Sequence, residues 1–386
     1  MKRIKSDRII REEGLLDGYI YFKNGRIMDV TSAVYPVDEE YDMTGLYVSP
    51  GFIDIHTHGG GGNAFEGSVD EIVEGCNFHL AHGTTSICPT VSAAEFASMA
   101  RSVRNIAEAM EDPRVKGTIL GAHMEGPYLS RKQAGAQCAD FITAPHSEDY
   151  LPLLEEYGDM IVRWSYAPEN DAGEAFAKSL AEYGVVAAAG HTDAIYDDLM
   201  RAKANGCHLI THLYSCTSTV TRDHGFRRLG VIETAYLCDD IYVEIICDGK
   251  HLPPELIRLI YKIKGADRIA LITDSLALAG TDRKHGFMQS TEFVIEDGVC
   301  KLPDRSAFAG SIATADRLLR VAVKEAGISI LDAVKMLTKT PAEIMGLPHK
   351  GVIAPRKDAD FAVFDEDMRV RQVFAKGKPI LNEDEK

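Results

Sequence analysis

Residues 52–58 read Phe52-Ile53-Asp54-Ile55-His56-Thr57-His58, an apolar run that ends in two histidines separated by one residue. On a strand, residues i and i+2 point to the same side, so His56 and His58 present two imidazoles to one point. Such a pair is suited to holding a metal ion. Pro50-Gly51 marks the turn into this strand, and Gly59-Gly60-Gly61-Gly62 follows it. A glycine run lets other groups come close. No Lys-Ser or Lys-Thr follows, so the run is not a phosphate loop and is read as backbone approaching substrate or metal.

This stretch is the first of eight strand-like segments: 52–56, 84–88, 118–123, 162–166, 185–189, 209–212, 242–246 and 269–273. Helix-like patterns separate most of them. One starts near Thr192-Asp193 and stops at Gly206, with Asp193 read as its cap. Eight such units in about 250 residues predict an α/β chain folded as a (β/α)8 TIM barrel over residues 50–345. Thr340-Pro341-Ala342-Glu343 predicts a capping box with proline at the first helical position.

The two ends of the chain are β-rich. Tyr19-Ile20-Tyr21-Phe22 and Ile27-Met28-Asp29-Val30 flank Asn24-Gly25, a strong hairpin signal. Segments 360–364 and 370–374 are strand-like around a polar turn. Residues 1–49 and 346–386 are therefore expected to form one small β-sandwich domain from both termini. No flexible linker divides it from the barrel, which predicts firm packing between them.

Composition narrows the function. The chain has 386 residues, 45% of them hydrophobic and 26% charged, as in soluble globular proteins. A formal net charge of −16 argues against a nucleic-acid partner, which wants a basic face. There is no apolar run of about 18 residues, so no membrane span is predicted. No secretory signal follows Met1-Lys2-Arg3, and the eight cysteines include no CxxC pair. A reducing cytoplasm is the natural setting.

The chemistry lies at the strand ends. His56 and His58 close strand 1, Glu125 strand 3, His191 strand 5, His212 strand 6 and Asp274 strand 8; Asp248-Gly249-Lys250-His251 follows strand 7. Barrel enzymes carry their catalysts at this rim. Any one of these residues alone is commonly a cap or a turn residue; six together predict a metal site. Four imidazoles and a carboxylate suit zinc, with iron, cobalt or manganese as alternatives, in one or two ions per subunit. Glu125 is placed to bridge an ion held by His56 and His58 and another held by His191 and His212. A divalent ion makes hydroxide available near neutral pH. Asp274 is then the free carboxylate, able to take a proton and pass it to a leaving amine. The prediction is hydrolysis of an amide or related carbonyl compound. His123 is read as supporting Glu125, and His79 and His82 as surface or helix-end residues.

These residues resemble the amidohydrolase superfamily. More narrowly, Pro50-Gly51-Phe52-Ile53-Asp54, His123-Met124-Glu125-Gly126-Pro127, Ala189-Gly190-His191-Thr192-Asp193-Ala194, Thr211-His212-Leu213-Tyr214, Asp248-Gly249-Lys250-His251 and Thr273-Asp274 resemble the N-acetylglucosamine-6-phosphate deacetylase family. The likeness spans almost the whole chain. Strand 4, Val162-Arg163-Trp164-Ser165-Tyr166, lacks the bridging lysine usual in dihydroorotase and hydantoinase relatives.

The resemblance implies that Glu125, His191 and His212 hold the main metal, that His56 and His58 hold a second, and that Asp274 is the acid/base. It implies that His251, Ala136, Gln137, Ser215, Cys216, Phe308, Ala309 and Gly310 meet the amino sugar. It also implies a homodimer in which an arginine after strand 6, from among Arg222, Arg227 and Arg228, reaches the sugar phosphate. Ser215-Cys216 stands where the family usually has Asn-Ala, and Gly135-Ala136-Gln137 where it has Gly-Ala-His. The implied reaction converts N-acetylglucosamine 6-phosphate to glucosamine 6-phosphate and acetate. The alternatives are another N-acetyl amino sugar, such as N-acetylgalactosamine 6-phosphate, or a non-catalytic scaffold of the same fold.

Overall fold

A computed structural model describes residues 1–380; the remainder of the expected 346–386 segment lies outside the described residues. Barrel strands 1 and 2 are Phe52–Thr57 and Thr84–Ser92. Strand 3 comes in two pieces, Thr118–Ile119 and Ala122–Glu125, and strand 4 is Ile161–Tyr166. Strands 5 to 8 are Val186–Ala189, Leu209–Ile210, Tyr242–Ile246 and Ile269–Ile272. Each pairs in parallel with the next. Strands 1 and 2 are buried at every position, as a parallel sheet covered on both faces requires. Two backbone bonds join the end of strand 8 to strand 1: Asp274 N–H donates to His56 O at 3.0 Å, and His58 N–H to Ser275 O at 2.8 Å. These bonds also set Asp274 beside the two histidines.

Three local expectations fail for physical reasons. Strand 3 does not run unbroken, because Gly121 takes φ +141° and a side chain there would lie 2.5 Å from Met160 O. Asp193 does not cap the next helix, Tyr196–Ala204: its carboxylate accepts from Lys132 Nζ at 2.8 Å and Gln133 Nε2 at 3.2 Å, and Asp198 accepts from Ile195 N–H. Thr340 forms no capping box, since its helix, Lys339–Ile344, begins earlier and its hydroxyl donates to Ala266 O at 2.7 Å.

Both termini contribute to a second, eight-stranded sheet. Asn24 and Gly25 both take positive φ and form a two-residue turn that pairs Phe22 with Ile27. Lys2–Arg11 shifts register between Ser6 and Ile9, so it pairs first with Glu39–Asp42 and then with Tyr47–Pro50. The sheet curls there. Phe22 of strand Gly14–Lys23 consequently meets Phe361 and Phe374 from the far half, with ring centroids 5.9 and 6.2 Å away. Ile4, Ile20, Val48 and Val363 fill the same core. Only Gly51 separates this sheet from barrel strand 1. A methyl group on it would lie 2.1 Å from Thr85 Oγ1 on strand 2.

One element had not been read from the sequence. After strand 8 an antiparallel sheet of four strands, His285–Met288, Thr291–Glu296, Val299–Lys301 and Phe308–Gly310, folds over the rim. It packs through Met288, Phe293, Ile295, Cys300 and Ala309 against Leu276, Leu278 and Ala136.

Candidate active site

Glu125 ends barrel strand 3 with its carboxylate between two histidine pairs. His191 Nε2 and His212 Nε2 lie 3.1 and 3.0 Å from Glu125 Oε1, and 3.2 Å from each other. His56 Nε2 lies 3.4 Å from Glu125 Oε1, and His58 Nε2 lies 3.2 Å from Oε2. The five side chains thus form two groups of three that share Glu125, and all five are buried. Ligand atoms about 2.0–2.1 Å from a tetrahedral ion sit roughly 3.3 Å apart. The observed spacings match that figure.

The ring tautomers agree with metal binding. His191 donates through Nδ1–H to Gln133 O at 2.9 Å, and His212 through Nδ1–H to Ser215 O at 3.0 Å. Each Nε2 then faces Glu125, where a proton on the ring or a metal ion supplies the positive charge that lets nitrogen and oxygen lie so close. His58 Nδ1 lies 3.0 Å from Ser92 Oγ, which donates to Glu66 Oε1 at 2.9 Å. Such outer partners fix ring orientation in metal sites.

Backbone strain aims these side chains. His191, His212 and Asp274 take φ of +45°, +27° and +46°, each two residues past the end of its strand. Non-glycine residues rarely enter that region, and those that do concentrate at functional sites. Asp274 Oδ1 lies 3.3 Å from His58 Nε2 and 3.5 Å from His56 Nε2. Burial works against its charge, but the hydrogen bond from His58 and the charge of His56 outweigh it, so its pKa is lowered. Glu125 behaves alike: burial opposes its charge, yet His56, His191 and His212 hold its pKa well below the ordinary value. Both carboxylates are ionised at neutral pH.

A cavity of about 250 Å³ opens above these groups. Its wall contains Ala136, Gln137, Ser215, Cys216, His251, Phe308, Ala309 and Gly310 beside His58, Glu125, His191, His212 and Asp274. The structure therefore gathers every expected sugar-contact residue except the arginines. Arg222 and Arg227 face each other across an exposed hairpin, Thr221–Asp223 and Phe226–Arg228, outside the cavity wall. Tyr214, Ile246, Met288 and Ala307 also line the wall and were missed. Tyr214 directly follows His212-Leu213, and that proximity was a usable signal.

Gln137 is fixed at both ends. Its Oε1 accepts from Ala93 N–H at 2.8 Å, and its Nε2 donates to Glu125 Oε2 at 2.8 Å. His251 Nδ1 lies 2.9 Å from Asp248 Oδ2, which leaves Nε2 for the cavity.

Other readings change. His123 makes no hydrogen bond to Glu125; its ring lies between Thr90 Oγ1 at 3.1 Å and Ser165 Oγ at 2.8 Å. His79 is buried rather than on the surface, and donates through Nε2 to Gly59 O at 2.9 Å. The glycine run does not line the cavity. A side chain on Gly60 would strike Phe78 and His79, so the run packs against the helix Val69–Ala81.

Comparison with known proteins agrees with this geometry. The model of the Amidohydrolase family matches residues 47–380. The N-acetylglucosamine-6-phosphate deacetylase of Bacillus subtilis is 30% identical over 97% of this chain and 96% of its own. The N-acetylgalactosamine-6-phosphate deacetylase of a Shewanella strain is 30% identical over 90% of this chain and 86% of its own. A solved N-acetylglucosamine-6-phosphate deacetylase from Mycobacterium smegmatis, a variant in complex with N-acetyl-D-glucosamine-6-phosphate, superposes with a TM-score of 0.91. It is 29% identical and covers 99% of both chains. A barrel whose strand ends bring four histidines and two carboxylates together, matched by that family model over most of its length, belongs to the amidohydrolase family.

Proposed function

We propose that this chain removes the acetyl group from N-acetylglucosamine 6-phosphate, giving glucosamine 6-phosphate and acetate in amino-sugar catabolism. The observation that carries the reading is Glu125 shared between two histidine pairs with Asp274 beside them. Glu125, His191 and His212 would hold one divalent ion, and His56, His58 and Glu125 a second. Zinc suits this nitrogen-rich set. Bound there, such an ion supplies Lewis acidity, polarising a carbonyl and making water a stronger acid.

The chain's own groups do the rest. Asp274 Oδ1, ionised at neutral pH, takes a proton from the attacking water and returns it to the departing nitrogen. Gln137 keeps Glu125 in place and has a second amide hydrogen left for the acetyl oxygen. His251, oriented by Asp248, reaches the sugar from the opposite wall. Ala136, Ser215, Cys216, Phe308, Ala309 and Gly310 shape the remainder.

We assign the enzyme to the cytoplasm as a homodimer. The exposed hairpin with Arg222 and Arg227 supports this state, because it holds cations away from its own cavity, where a second subunit could use them. We also propose that residues 1–49 with 346–386 form a β domain distinct from the catalytic barrel of residues 50–345; its separate apolar core supports the division. Among the described residues no helix is long and apolar enough to cross a membrane.

A second substrate has support. The Shewanella relative, which acts on the galactosamine isomer, is as similar in sequence as the Bacillus one. Acetate release from the 6-phosphates of N-acetylglucosamine and N-acetylgalactosamine, and from the free sugars, decides between them. Faster release from the galactosamine phosphate would replace the first reading by the second. No release from any of the four sugars would remove both.

A further inference from the structure

The inside of a barrel is ordinarily filled by branched apolar side chains. Here Arg163 on strand 4 and Glu244 on strand 7 lie there, both with no exposed surface. Arg163 grips Glu244 with two nitrogens, Nη1 to Oε1 and Nη2 to Oε2, the latter at 2.8 Å. Its Nη1 also donates to Ile55 O at 2.9 Å, and its Nη2 to Thr211 Oγ1 at 3.0 Å. Desolvating two such charges costs several kcal/mol each, and apolar replacements of buried pairs are often neutral or stabilising. Stability alone does not account for the pair.

Its position does. Ile55 precedes His56, so Arg163 holds the backbone that carries this ligand. Glu244 Oε2 lies 3.5 Å from His56 Nδ1, on the side of the ring away from Glu125. His191, His212 and His58 each have an oxygen within about 3 Å of the outer ring nitrogen. His56 has Glu244 there. Both His56 nitrogens lack a hydrogen bond within the protein although the ring is fully buried. A buried imidazole in that state needs a cation on one nitrogen and an acceptor behind the other.

We propose that Glu244, held by Arg163, is the positioning residue of His56: it fixes the ring with Nε2 facing Glu125, and so sets the metal affinity of the His56–His58–Glu125 group. This rests on the two-ion reading of the site given above. Glu244 would not touch substrate or the reacting atoms.

The test needs no turnover. Zinc binding is titrated by competition with a chromophoric chelator in the full-length protein, its His58→Asn and His191→Asn variants, and Glu244→Gln and Arg163→Met. Thermal unfolding of the metal-free proteins is followed alongside. His58→Asn and His191→Asn assign the two binding constants. Glu244→Gln, close in size to the native side chain, is expected to weaken the constant lost in His58→Asn by about 10–100-fold. The constant lost in His191→Asn stays unchanged, and Arg163→Met follows the same pattern. Equal weakening of both constants would overturn the inference. So would a lowered melting temperature with neither constant moved, because the pair would then be only structural. A native protein that binds one ion, lost in His191→Asn, would instead overturn the two-ion reading itself.

Discussion

In the proposed reaction Asp274 and Gln137 divide the work at the scale of single residues. Asp274 touches His58 and His56 but belongs to neither metal group, so removing its charge should spare the ions. Asp274→Asn is expected to lower kcat by about 10²–10⁴-fold with zinc content unchanged, measured by acetate release and elemental analysis. Gln137→Leu removes the amide that holds Glu125 Oε2 and the hydrogen offered to the substrate; kcat should fall by roughly 10–100-fold, somewhat less than the loss of a full oxyanion donor. The residues of the two candidate metal groups were legible in the sequence because each ends a strand of a fold in which strand ends meet. Glu244 and Arg163 were not, since a charge inside an apolar run shows nothing of what it faces. Asp193 was misread because a lysine and a glutamine distant in sequence compete for its carboxylate more effectively than the nearby helix does.

Elements carry two further expectations. The hairpin Thr221–Asp223 and Phe226–Arg228 stands away from its own cavity, and the role proposed for it rests on charge. Arg222→Ala and Arg227→Ala should raise KM for the phosphorylated sugar by about tenfold or more, in line with the loss of a charged hydrogen bond. They should leave the free sugar unaffected, as steady-state kinetics with both substrates would show. The helix Val69–Ala81 carries in its last turn His79, whose pKa burial pushes down to about 4. In the unfolded chain His79 binds a proton near its ordinary value, whereas the folded protein does not until about pH 4. Stability is therefore complete above about pH 6.5 and falls as pH drops from there towards 4, by at most roughly 3 kcal/mol from this group. Denaturant unfolding of His79→Gln should show a smaller loss across that window. The rim sheet of residues 285–310 escaped the reading of the sequence even though Asp297-Gly298 lies between two strand-like runs, a hairpin signal. The count of eight barrel strands was already complete, and nothing in it called for four more.

For the whole molecule the question is how the two ends of the chain, far apart in sequence, are held in one β domain. Lys350, largely buried, pairs with Asp360 at 2.7 Å and Asp358 at 3.1 Å, and Asp358 also pairs with Arg26 near the other terminus. Lys350→Met would leave two carboxylates facing each other without their cation. A loss of about 2–3 kcal/mol is expected in chemical denaturation. The β-rich character of both ends was legible, because Asn24-Gly25 and the alternating strands are local signals. The curl that brings Phe22 onto Phe374 was not, since it follows from a register shift within one strand.

Gly51 has a consequence for how the enzyme cycles. With one residue between the two parts, and that residue pressed onto Thr85, the junction has no hinge. A clamshell that swings open at Gly51 to load substrate would have to break that contact. Entry and exit fall to the loops at the barrel mouth, so a disulfide stapling the sheet to the barrel floor should leave turnover intact.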